Sequence, residues 1–216
     1  MLVAIDTSTN QIGLACYDEQ GLLAEYAWNS GREHTAQLMP QLTALLGYIG
    51  RPREAIRAIG VAIGPGSWSG LRVGISTAKG LALALDLPVV GVGTLDALVY
   101  QYGGTGLPIV PILRLGRDRY ATQDALDGQP RNTTLAELCA ETGTPTLFCG
   151  DIDTEVRMTL SQHLGERARF PGLAASMRRP GFLAELAWRR IQDGSLNDIA
   201  MLEPIYLGQP VRLAQL

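Results

Sequence analysis

Lysine is all but missing from this chain: Lys79 is the only one, and arginine carries the rest of the positive charge. Charged residues make up only 18% of the sequence and sum to a formal net charge of −3, with a pI near 5.4. Phosphate backbones are gripped by clustered Lys and Arg, so the composition argues against a protein that holds nucleic acid by itself. So little charge also predicts that part of the surface is covered in an oligomer. Histidine occurs twice, at His34 and His163, and cysteine three times, at Cys16, Cys139 and Cys149. The odd cysteine count and its spacing fit no metal knuckle, and free buried thiols in a reducing cytoplasm are expected. No apolar run is long enough to cross a bilayer. The opening Met1-Leu2-Val3-Ala4-Ile5-Asp6 reads as a strand without a charged leader. A cytoplasmic protein with no membrane contact is therefore expected.

What is present is a chain of 216 residues that is 46% hydrophobic, enough for one large domain or two small ones. Its organising stretch is Gly64-Pro65-Gly66-Ser67-Trp68-Ser69-Gly70, which follows an apolar strand at 58–63 and leads into a helix over 70–85. Gly70, Gly74, Ala78 and Ala82 recur every four residues and form a smooth ridge on that helix. Gly74 and Gly80 each cost about 1 kcal/mol against Ala in a helix interior, so close packing or backbone access to a ligand must offset them. A smooth ridge lets another helix approach closely. The same ridge could pack on the chain's own sheet.

Before this stretch, strands at 2–5, 12–18 and 22–28 form a meander, and a helix over 33–48 follows, with Pro40 inside it and His34 near its start. After it come a strand at 87–92 and a helix capped by Thr94. Gly103-Gly104-Thr105-Gly106 is the linker. The pattern then restarts: strands at 107–113, 119–126 and 146–149, helices at 135–140 and 151–163, and a helical stretch over 174–193 broken at Pro180. The second half echoes the first without an alignable repeat.

The chemistry in these segments is thin. A strand ending at Asp6 and followed by Thr7-Ser8-Thr9 can hold a phosphate or its metal, or simply close a turn. The glycine turn lacks the Lys of a Walker loop, because Leu71 follows Gly70, and Ser69 breaks the dinucleotide pattern. It could still receive an anion at the helix N-terminus. Ser67 and Ser69 have no neighbouring base, so no nucleophile is signalled.

Four segments together carry a resemblance. Ala4-Ile5-Asp6-Thr7-Ser8-Thr9, Arg32-Glu33-His34-Thr35-Ala36-Gln37-Leu38-Met39-Pro40, the stretch from Gly64 through Arg72-Val73-Gly74, and Ala78-Lys79-Gly80-Leu81-Ala82 resemble the TsaB (YeaZ) family, as does Pro204-Ile205-Tyr206-Leu207 near the end. The resemblance implies an α/β fold of two actin/Hsp70/sugar-kinase-like (ASKHA, ribonuclease H-like) subdomains, with mixed sheets flanked by helices. Residues 1–102 would form the first subdomain and 107–216 a degenerate second one, its last helix or tail packing back on the first. It implies a scaffold subunit that works with TsaD and TsaE to place threonylcarbamoyl on the adenosine next to the anticodon of tRNAs reading codons that start with A. Such a subunit would be a homodimer when alone, meet tRNA only through the complex, and own no catalytic residue, metal or cofactor, with ATP or ADP at the TsaD interface as a candidate ligand.

The implied interface residues are His34, Gln37 and Leu38 on the first helix and Gly70, Gly74, Ile75 and Ala78 on the second; Asp6, Thr7, Ser8 and Gly66 are the candidate nucleotide or anion contacts. TsaD carries metal-binding histidines at the place that here reads Gly91-Val92-Gly93-Thr94-Leu95-Asp96-Ala97, without a histidine. The second subdomain opens on Ile112-Leu113-Arg114-Leu115-Gly116-Arg117-Asp118 where nucleotide-binding relatives have an acidic, glycine-rich phosphate loop, and Gly208 replaces the family's usual Arg after Tyr-Leu. The rival readings are an ATP-binding or ATP-hydrolysing enzyme of this fold that uses Asp6 and Thr7, and a protease, for which no nucleophile–base pair is visible.

Overall fold

The computed structural model describes residues 1–31 and 33–207. Arg32 of the second family segment, Gly208 and the rest of the tail lie outside the described residues. The chain builds two five-stranded mixed sheets. In the first, β1 (Leu2–Asp6), β2 (Gln11–Asp18) and β3 (Gly21–Asn29) form the antiparallel meander, and β4 (Ala58–Gly64) and β5 (Val89–Gly93) extend it in parallel beyond β1. In the second, β6 (Ile109–Gly116), β7 (Arg119–Thr122) and β8 (Arg131–Thr133) are the meander, and β9 (Thr146–Gly150) and β10 (Ala168–Arg169) the parallel pair beyond β6. The strand orders β3-β2-β1-β4-β5 and β8-β7-β6-β9-β10 are therefore the same topology twice.

The helices repeat too. After β3 comes α1 (His34–Tyr48), after β4 α2 (Trp68–Leu85) and after β5 α3 (Thr94–Tyr102). Their counterparts are α4 (Leu135–Glu141), α5 (Thr154–Leu164) and α6 (Pro180–Gln192). One face of the first sheet, through Val3, Ile5, Ile12 and Leu14, packs on Leu38, Leu42 and Leu45 of α1 and Ile75 and Ala78 of α2. Alternation along the strands sends Leu2, Ala4 and Ala15 to the other face, where they meet Leu183, Ala184 and Ala187 of α6. Leu95 and Leu98 of α3 pack instead on Leu113, Leu147 and Cys149 of the second sheet. Each repeat thus lends its third helix to the other's sheet.

The α6 contact is unusually close. A Cβ on Gly60 would lie 2.7 Å from Ala187 Cβ, and one on Gly13 would lie 2.8 Å from Pro180 Cβ. Small strand residues at these points let the helix settle onto the backbone of the sheet.

Local readings shift in places. The expected helix at 174–179 is a single 3-10 turn, Ala174–Ser176, and α6 starts at Pro180. Proline at the first helical position forbids helical backbone before it, and Arg179 is extended. Gly93 rather than Thr94 caps α3, and the helix expected from 151 starts at Thr154, capped by Asp153, which accepts from Val156 N–H at 2.9 Å. The short strands β8 and β10 escape a sequence reading because they carry too few residues to show alternation.

Candidate functional site

The turn leaving β1 carries the acid and hydroxyls, and the structure uses them on itself. Asp6 Oδ1 accepts from Ser8 N–H at 2.9 Å and from Ser8 Oγ at 2.5 Å. Thr7 Oγ1 donates to the Gly70 carbonyl oxygen at 2.7 Å. All three residues are buried. Asp6, Thr7 and Ser8, expected as nucleotide or anion contacts, use these groups to close the turn and bind it to α2.

The glycines of the organising stretch make this attachment possible. Ser67 N–H donates to the Ser8 carbonyl oxygen at 2.6 Å. A Cβ on Gly66 would strike that same oxygen, one on Gly70 the Thr7 carbonyl oxygen, and one on Gly74 the Thr7 hydroxyl. Gly64 has φ +105°, a backbone that side chains disfavour. Ser67 Oγ caps α2 by accepting from Gly70 N–H at 3.3 Å, so that with the Ser67 N–H bond to Ser8 two amides of the expected anion cradle at Gly66 to Gly70 are occupied.

The expected partner-facing residues also turn inward. Gly70, Gly74, Ile75 and Ala78 are buried against the first sheet and the β1 turn, as is Leu38 in the core. The ridge serves the chain's own sheet, because the helix must lie against backbone there. His34 is buried too, with Nε2 2.8 Å from the Thr9 carbonyl oxygen and Ser30 Oγ 3.5 Å from each ring nitrogen. Gln37 Oε1 accepts from Trp28 Nε1 at 2.7 Å. The Ser30–His34 approach is no nucleophile–base pair: Ser30 is buried and donates to the Asn10 carbonyl oxygen at 2.9 Å.

The opposite faces of the same helices are open and nearly free of charge. Thr35, Ala36, Met39, Pro40 and Thr43 are exposed on α1, a helix without one Asp, Glu, Lys or Arg. On α2 the exposed residues include Ser69, Arg72, Ser76, Gly80 and Leu83, the last 70% exposed. Arg72 lies over the Trp68 ring, 3.6 Å from its centroid, and Tyr206 of the returning tail stands 6.3 Å from that ring. The tail is held by Ile205 N–H donating to the Ile63 carbonyl oxygen at 2.7 Å and by Leu202 in the core.

Between the sheets lies an open cleft of about 790 Å³, lined by Ser8, Gln11 and Ser67 on one wall and Arg114 and Asp151 on the other. Arg178, on the strap before α6, lines it as well. Sequence reasoning missed this residue. The signal was there: Arg178 and Arg179 precede a helix N-terminus, where positive charge is unfavourable, so each needed an acid elsewhere. Those acids are Asp6 and Glu25. Also missed was a network around Asp96 in the first turn of α3. There Asp96 accepts from Gln123 Nε2 and Asp127 N–H, each at 2.8 Å, and Arg190 bridges the Gly91 carbonyl oxygen and Asp127, each at 2.6 Å. Among the described residues no group of three or more His, Cys, Asp or Glu is arranged to hold a metal.

A family model described as TsaD, tRNA N6-adenosine threonylcarbamoyltransferase, matches residues 22–142. The tRNA threonylcarbamoyladenosine biosynthesis protein TsaB of Bacillus subtilis is 31% identical over 95% of this chain and 93% of its own length. TsaB of Escherichia coli is 37% identical over 44% of this chain and 40% of its own. The solved structure of YeaZ from Pseudomonas aeruginosa superposes with a TM-score of 0.76 at 22% identity, covering 95% of this chain and 99% of that one. From the match across nearly all of the B. subtilis protein, together with the shared two-sheet fold, it follows that this chain belongs to the TsaB (YeaZ) family of tRNA threonylcarbamoyladenosine biosynthesis proteins.

Proposed function

We propose that this chain is a non-catalytic subunit of the tRNA threonylcarbamoyladenosine machinery, and that it docks TsaD through the outer faces of α1 and α2. TsaE joins the same complex, and tRNA is met only there. The observation that carries the reading is the charge pattern. The outer face formed by Thr35, Ala36, Met39 and Pro40 on α1 and Ser76, Gly80 and Leu83 on α2 lacks charge. Depletion of charge at the centre of a patch marks a protein interface. By contrast α4 and α5 carry Glu137, Glu141, Glu155 and Arg157, an ordinary solvated surface. Without TsaD, the same face would pair two copies of this chain. Arg72, Trp68 and Tyr206 at its edge are the groups to which an interfacial ATP or ADP would bind, the rings by stacking and the guanidinium by charge. The rival reading, an ATP-hydrolysing enzyme, needs Asp6 and Thr7 free, and both are spent within the fold.

The test uses Met39→Glu and Ser76→Arg, two exposed positions. Each is expected to weaken TsaD binding in light scattering at least tenfold, leave the melting temperature unchanged, and lower threonylcarbamoyladenosine formed by the reconstituted complex. Undiminished binding in both variants refutes the surface. Full modification of tRNA in cells lacking the gene refutes the role itself.

A further inference from the structure

The fold implied by the family holds a metal nucleotide in many of its members, and a strand-end carboxylate followed by hydroxyls is the element that would hold the cation. The residues here do not fit that ligand. Asp6 Oδ1 is taken by Ser8, and Oδ2 lies 3.3 Å from Arg178 Nε, an ion-pair distance. The side chains of Arg178 and Asp6 are only 9% and 8% exposed. The same guanidinium donates to Thr9 Oγ1 at 2.7 Å and to the Gln11 carbonyl oxygen at 3.4 Å, while Arg178 N–H donates to Gln11 Oε1 at 3.1 Å. Arg178 Nε has no hydrogen-bond partner, so its stabilisation comes from the Asp6 charge rather than from alignment. The facing wall is already paired as well: Arg114 N–H donates to Asp151 Oδ2 at 2.9 Å and its guanidinium to Asp153 at 2.7 Å.

We propose that Arg178 is the resident cation of the cleft. It takes the position of a divalent metal at Asp6, so the cleft rejects metal nucleotide, and the pair staples the strap before α6 to the β1–β2 turn. A magnesium ion needs near-octahedral oxygens at about 2.0–2.1 Å and keeps much of its water. Neither fits beside a guanidinium that already neutralises the one acid of the turn, and two cations at that carboxylate would repel each other. The inference does not depend on how the chain docks its partner.

Manganese is the probe, alone and with ATP, read from the paramagnetic resonance of the free ion. Wild type is expected to bind no manganese that Asp6→Asn abolishes. Arg178→Met is expected to bind one ion per chain at least tenfold more tightly than wild type, and Asp6→Asn/Arg178→Met to lose that gain. Asp6-dependent manganese binding by wild type, or no gain in Arg178→Met, overturns the proposal. If Arg178→Met is too unstable for the binding measurement, melting temperatures decide: the double variant must melt above it, because removing both charges leaves neither one buried alone. A double variant no more stable than Arg178→Met also overturns the proposal.

Discussion

The two sheets share one topology and are held together by different means. The first is covered by α1, α2 and α6, of 15, 18 and 13 residues. Its fit relies on glycine: Gly13 and Gly60 under α6, Gly66 and Gly70 against the Thr7–Ser8 backbone, and Gly74 against the Thr7 hydroxyl. The second has shorter α4 and α5 helices, of 7 and 11 residues, and its core is filled by large side chains such as Phe148, Leu138 and Leu160. Close packing leaves the outer faces of α1 and α2 without structural duties of their own, and those are the faces that, Arg72 apart, are nearly free of charge. The second repeat keeps charged, solvated outer helices. The two copies of one fold therefore differ in what they show to solvent: outer helix faces nearly free of charge in the first half and charged ones in the second.

The strongest way to break this comparison is to empty the second core. Phe148 is fully buried, with α5 and Phe170 around it. Phe148→Ala should cost about 3–5 kcal/mol in a denaturant titration. Because α3 lies on the second sheet and α6 on the first, unfolding should remain one transition by both fluorescence and circular dichroism. Two separate transitions would show that the exchanged helices do not couple the repeats.

The next effect tests the glycine mechanism in the first half. At Gly70 an added methyl meets the Thr7 carbonyl oxygen, a backbone atom that cannot swing aside. Gly70→Ala should cost about 3 kcal/mol, at the upper end for overpacking. Gly80→Ala, on the same helix with nothing near its Cβ position, should instead stabilise by up to about 1 kcal/mol. Similar effects at the two sites would mean that the glycines answer to helix propensity alone.

The third effect separates the halves by pH. Cys16 lies in the first core, and burial pushes its thiol from 9.0 up to about 11. The folded state then holds a proton that the unfolded chain releases, so stability falls as pH rises from about 9 to about 11. The loss is on the order of 2 kcal/mol by pH 11, and Cys16→Ala should remove it. In the second half, burial raises both Cys149 and the half-buried Cys139, and Cys139 should be the first thiol to react with a disulfide reagent at pH 8.

Much of the first half was legible before any coordinates. The meander, α1, α2 and the glycine turn follow from alternation, helical period and punctuation, and the family segments fall on them. The direction of the small-residue ridge was not legible. Spacing places Gly70, Gly74 and Ala78 on one face but does not say which neighbour fills it; that is decided by the Thr7–Ser8 turn, more than sixty residues earlier in the chain. Arg178 lay further out of reach, because its partner Asp6 belongs to the other end of the sequence. The second half read less clearly, since β8 and β10 have 3 and 2 residues.

The smallest expected effect sharpens the contrast at one helix end. Thr134 and Glu137 form a complete capping box on α4: Glu137 N–H donates to Thr134 Oγ1 at 3.2 Å, and Thr134 N–H to Glu137 Oε2 at 2.7 Å. On α1, Glu33 makes no side-chain cap; that helix start is held by His34 and Gln37 bonding to neighbouring strands and turns. A short helix in the second half thus depends on its local sequence, whereas a long helix in the first half depends on tertiary contacts. Thr134→Ala should cost about 1 kcal/mol, and Glu33→Ala almost nothing within about 0.5 kcal/mol, as for other exposed positions. Hydrogen exchange at the first turn of α4 should quicken in Thr134→Ala while α1 is unchanged. Equal costs at the two helix starts would erase the distinction between local and tertiary support.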